Sequence, residues 1–146
     1  MAIYIGLDPG ENTGFAVWDG ASGKFLEVST LPLWKALEKV KEYHAASLSQ
    51  DRDFRVVFED ARQRTWFKPE ANRSEYRGKL MGAGAAKRDA KIWEEYLTAQ
   101  GIAFTAVKPR PGLTKWKAEY WQKIIGWKGR TSEHARDAAL LVWGQR

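Results

Sequence analysis

"YIGLDPGENTGF", Tyr4 to Phe15, decides the reading of this chain. An apolar run climbs to Leu7 and ends in a carboxylate, Asp8, and Pro9-Gly10 breaks the strand at once. Residues 2–7 are apolar at odd and even positions alike, which predicts a central strand covered on both faces. Asp8 then stands at the carboxyl end of a buried strand. In an open α/β sheet those ends are where sites form. An acid there also starts many ordinary turns, so the rest of the chain has to decide between the two.

Working outward, residues 13–19 and 24–29 read as two more strands joined by the "DGASG" turn in an antiparallel hairpin. A helix is expected over about 32–48, with Leu33, Leu37, Val40, His44 and Leu48 on one face. "FRVVF" (54–58) reads as a fourth strand, and it too ends in an acid, Glu59. Residues 60–78 show no period and read as a long basic loop carrying Trp66, Phe67 and Tyr76. Then come a helix over about 79–99 with a "GAGAA" stretch, a fifth strand over 101–107, and a basic, aromatic helix over about 113–125. The last helix starts at a Ser132 cap with Glu133 in its first turn. The order β-β-β-α-β-α-β-α-α predicts one α/β domain spanning 1–146. Its five-stranded mixed sheet has three antiparallel strands, then parallel ones, with helices on both faces.

Composition narrows the function. No cysteine means no disulfide framework and no thiolate metal site. No signal peptide is visible, and no apolar run approaches the ~20 residues of a membrane span. The expectation is a cytoplasmic protein without a membrane partner. The net charge of +6 is uneven: residues 1–60 hold six Lys/Arg against ten Asp/Glu, residues 61–146 eighteen against eight. Together with eight tryptophans, several of them among lysines as in "KWKAEYWQK" (115–123), this points to a nucleic-acid partner.

If strands one and four are parallel neighbours, Asp8 and Glu59 meet and repel, a conflict that a divalent cation removes. Hard carboxylate oxygens suit Mg²⁺ or Mn²⁺. The last helix, "SEHARDAALLVWG", offers His134, Asp137 and Glu133 at helical spacing, with Ala135, Ala138, Ala139 and Val142 as its packing side. Small alanines would let it lie close to the sheet. Asp19, Asp60, Asp89 and His44 are read as structural.

In this order the motifs resemble those of the RuvC-type Holliday junction resolvases. "IGLDPGENTGFAVWD" is similar to the family's first motif and "VVFED" to its second. "LMGAGAAKRDA" resembles the helix that follows, and "EHARDAALL" the last motif. The extra acid Glu133 and the stretch 108–130 depart from the pattern. The resemblance implies an RNase H-like fold and a homodimeric, metal-dependent endonuclease acting on four-way DNA junctions, with Asp8, Glu59, His134 and Asp137 as catalytic ligands. Two Mg²⁺ or Mn²⁺ ions per site would be held by Asp8, Glu59 and Asp137, with His134 a ligand or a hydrogen-bond partner and Glu133 an additional candidate.

DNA contacts are expected from Arg62, Arg64, Lys68, Arg73 and Arg77 in the 60–78 loop, and from Lys115, Lys117, Lys123, Lys128 and Arg130. Trp66 and Phe67 either wedge into an opened base step or fold back onto the core. Paired symmetric nicks need a two-fold dimer, for which the helix around 79–99 is the expected interface; its glycines could equally pack on the protein's own sheet. Rival readings are a broader branched-DNA nuclease, a YqgF-type RNA-processing nuclease, and a binding domain with a dead site. An actin-like ATP-binding domain would need a second glycine-rich phosphate loop and a longer chain.

Overall fold

The computed structural model describes residues 2–64, 73–109 and 116–146; of the side chains in 73–80, only that of Arg77 is described. The strands are β1 (Ala2–Asp8), β2 (Asn12–Asp19), β3 (Lys24–Pro32), β4 (Asp53–Glu59) and β5 (Phe104–Val107), and the helices α1 (Leu33–Ser49), α2 (Arg73–Ala99), α3 (Ala118–Ile125) and α4 (Glu133–Val142). The sheet order is β3-β2-β1-β4-β5. β1, β2 and β3 pair antiparallel, while β4 lies parallel to β1 and β5 parallel to β4. This is the α/β class expected from the sequence, a five-stranded mixed sheet with three antiparallel strands followed by parallel ones.

The period of two explains how the central strands serve both faces. Ile3, Ile5 and Leu7 of β1, Phe15 and Val17 of β2, and Val56 and Phe58 of β4 share one core with Ala36 and Val40 of α1 and Ala90, Trp93 and Leu97 of α2. The alternate residues face α4, whose Ala135, Ala138 and Ala139 pack with Ala16, Val28 and Trp121. The expected packing side of α4 is thus its buried side.

Two glycines set how close α4 comes. A Cβ on Gly6 would stand 2.1 Å from the Ala138 carbonyl oxygen, and one on Gly14 would stand 2.0 Å from that of His134. Both contacts are with backbone, so the helix itself would have to move. Gly14→Ala is expected to cost roughly 1–3 kcal/mol, read as a melting point lower by about 2–4 °C per kcal/mol. Capping and clamping hold α4 in register. Ser132 Oγ accepts from Ala135 N at 3.1 Å and bonds Thr30 Oγ1 of β3. Beyond its far end, the Gln145 carbonyl accepts from Trp18 Nε1 at 2.7 Å.

Several element boundaries differ from the sequence reading. Ala61–Gln63 is a short 3-10 turn, and α2 begins at Arg73 rather than near 79, so the 60–78 loop is shorter than expected. β5 occupies only 104–107, because α2 is ended by Gly101 at φ +66 and Ile102 enters the core. α3 begins at Ala118, with Lys117 extended before it; 113–115, the start of the expected helix, lie outside the described residues. On α1, Ala36 and Ser47 are buried whereas Leu48 is 66% exposed, so the apolar stripe ends before the last turn. No helix among the described residues is long and apolar enough to cross a membrane.

Candidate active site

The register carries Asp8 and Glu59 to the same edge. Leu7 pairs with Phe58 across the parallel β1–β4 ladder, so the next residue of each strand is an acid. Asp8 pairs with Gly14 across the antiparallel ladder, and the His134 backbone lies directly over that glycine. The close approach of α4 therefore brings its first turns onto Asp8. His134 Nδ1 lies 2.8 Å from Asp8 Oδ2. Asp137, one turn further along, is half-buried, and its Oδ1 is buried with no hydrogen-bond partner. Glu133 is exposed at the helix start.

The three carboxylates sense one another. Burial raises the pKa of Asp8, against the lowering effect of His134. Burial raises Glu59 as well, and the Asp8 charge adds to it, while Arg64 acts the other way. Asp137 is pushed up to about 7, first by burial and then by the charges of Asp8, Glu133 and Glu59. His134 is raised by its hydrogen bond to Asp8. Acids brought together at a cost to each are the pattern of functional sites.

The donor chemistry fits a hard divalent cation: carboxylate oxygens from three elements, one of them buried and unpartnered. The side chains do not close into a ligand shell as they stand. Among the described residues no three His, Asp or Glu groups lie within metal-binding reach. His134 takes one Asp8 oxygen, and the carboxylates repel.

The expected phosphate contacts divide. Lys117, Lys123, Lys128, Arg130 and Arg77 are exposed. Arg64 lies close enough to Glu59 to lower its pKa. Arg62 departs from expectation. It forks onto buried Asp60, Nε to Oδ1 and Nη2 to Oδ2, both at 2.9 Å, and it also bonds Glu94 of α2. Asp60, one residue past Glu59, is thereby held well below its usual pKa, chiefly by Arg62. Its amide also donates to the Val107 carbonyl at 2.8 Å. Arg62 is thus a clamp beside the site rather than a free phosphate contact. Arg62→Ala would leave Asp60 unpaired, with an expected loss of about 1–3 kcal/mol in urea unfolding. Trp66, Phe67, Lys68 and Lys115 lie outside the described residues, as does the side chain of Arg73.

The residues read as structural are engaged elsewhere. Asp19 pairs with Arg52 at 2.6 Å, Asp89 is buried, and His44 packs its ring on Phe54. Of the expected interface helix, Ala90 and Trp93 belong to this chain's own core. Its preceding turns are open among the described residues: Met81 is 77% exposed, and no described atom stands where Gly82 or Gly84 would carry a Cβ.

A groove of about 630 Å³ runs along the α4 face of β4 and β5, with Glu59 and Asp137 among its lining residues. The sequence reading missed it. The signal was the period of two in "RVVFE", which places Arg55, Val57 and Glu59 on one face.

No family model matches the chain, and no curated protein matches it. Among solved structures, one titled "Thermus thermophilus RuvC structure" is similar over 97% of this chain and 92% of that one, at 17% identity and a TM-score of 0.47.

Proposed function

We propose that this protein is a metal-dependent endonuclease acting on branched DNA, with the four-way junction as its substrate. The observation that carries the reading is the meeting of Asp8, Glu59 and Asp137. They come from two parallel strands and a distant helix, at one sheet edge, each with its pKa raised first by burial; the Asp8 charge adds to the rise in Glu59, and the charges of Asp8 and Glu59 add to the rise in Asp137. The basic second half supplies positive charge for a polyanion, and the order of the four sequence motifs supports the same reading.

Asp8, Glu59 and Asp137 would hold Mg²⁺ or Mn²⁺, two ions per site, which when bound activate water and offset charge on the phosphate. Asp8, central between the other two acids, is the bridging candidate. His134 donates from Nδ1 to Asp8, which leaves Nε2 to hold or move a proton at a substrate oxygen. Glu133 adds negative charge at the rim. Lys117, Lys123, Lys128 and Arg130 would contact phosphates.

Paired nicks would follow from a two-fold dimer through the open turns of α2 around Met81, Gly82 and Gly84. The test is a labelled immobile four-way junction incubated with Mg²⁺ or with EDTA, beside duplex, flap and RNA of matched sequence. Paired symmetric nicks that need metal and spare the duplex are expected. Equal cutting of duplex and flaps would retire the junction assignment, and preferential cutting of RNA would favour the RNA-processing reading. Tight binding without cleavage would overturn the enzyme.

A further inference from the structure

The groove beside the carboxylates has a chemistry of its own. Much of its lining is apolar, with Val57 and Val107 of the sheet and Leu140 and Leu141 of α4. Trp116 and Trp143 lie on its walls, and Trp143 is 42% exposed. Two cations belong to it, Arg55 and Lys108, both exposed. Arg55 Nη1 donates to a neutral partner, Thr105 Oγ1, at 3.1 Å, and neither cation has a carboxylate partner among the described residues.

We propose that this groove is a nucleotide subsite, which receives one unstacked nucleotide of the strand whose phosphate lies against Glu59 and Asp137. The inference rests on the nuclease reading and says what the strand does next to the cut. Continuity supports it, because both acids line the groove, and a strand held by them runs directly into it. The size is that of a small-molecule site, roughly 300–1,000 Å³. Aromatic faces stack on any base, and the unneutralised cations match the phosphates on either side of it. A branch point supplies unpaired or readily unstacked nucleotides at the lowest cost in lost stacking.

The test reads binding without chemistry. A short single-stranded DNA carrying one 2-aminopurine is titrated against the full chain in EDTA, with fluorescence as the readout, for the wild type, Trp143→Ala, Arg55→Glu and Asp8→Asn. Both side chains are exposed, so the first two variants are expected to keep the wild-type melting point. The expected result is quenching of 2-aminopurine on binding by the wild type and Asp8→Asn, with affinity about tenfold weaker in Trp143→Ala and Arg55→Glu. Unchanged affinity and quenching in both groove variants would overturn the subsite, even if the junction is cut normally. Equal competition by an uncharged apolar peptide would overturn it as well, since the groove would then be a protein-docking surface. Absence of junction cleavage by a protein that still shows the groove-dependent quenching would overturn the nuclease reading and leave the nucleotide site standing.

Discussion

Asp8→Asn is expected to leave DNA binding intact and to lower metal-dependent junction cleavage on the order of a thousandfold. The substitution keeps the shape and an acceptor oxygen for the His134 ring, so the 2.8 Å contact survives. It removes the negative charge that sits between Glu59 and Asp137, as the influence of Asp8 on the pKa of both shows. The cations that Asp8 would help to hold would supply several kcal/mol of charge stabilisation, and each 1.36 kcal/mol is a factor of ten in rate. The proposed phosphate contacts lie elsewhere in the chain: Lys123 is on α3, and Lys117, Lys128 and Arg130 flank it. Single-turnover cleavage and gel-shift titration on one junction separate the two effects. Equal loss of binding and cleavage would mean that Asp8 holds the fold or the DNA rather than the reacting phosphate.

The edge where these acids meet was legible because two independent patterns agreed on it. Apolar residues on both parities marked β1 and β4 as central, and the acid that follows each run marked the carboxyl edge. Ala135, Ala138 and Ala139 likewise announced a helix face made for close approach. What escaped notice depends on partners far away in the chain. Gly6 and Gly14 look like ordinary strand glycines until α4 is laid over them. Arg62 sits among other basic residues, and its role comes from Asp60 two residues away and from Glu94 on another element. The first turns of α2 carry the polar run "RSEYRGK", which has no apolar period, so a helix read from periodicity starts late. The open α4-side face of β4 and β5 reflects where α4 docks, over β1 and β2, which no local pattern encodes.

Asp137 gives the second large effect, in stability rather than rate. Its pKa of about 7 in the folded protein lies well above the 3.8 of an ordinary aspartate. Between those values the folded state holds more protons than the unfolded state. Stability in EDTA is therefore expected to fall as pH rises from about 4 to 7, with the cost complete above 7. The group is only half-buried, so solvent screening reduces the penalty, to about 1–2 kcal/mol. Asp137→Asn removes the ionisable group and leaves its shape. The variant should be more stable than wild type at pH 8 and should lose most of that advantage by pH 5. Mg²⁺ or Mn²⁺ at pH 8 should raise the wild-type melting point by satisfying the same carboxylates, and should raise that of Asp137→Asn much less. Melting curves at pH 5 and 8, with EDTA or cation, contain the whole test. A variant no more stable than wild type at pH 8 would show that burial and the neighbouring acids do not penalise the Asp137 charge. A cation response equal in both proteins would place the bound ion away from Asp137.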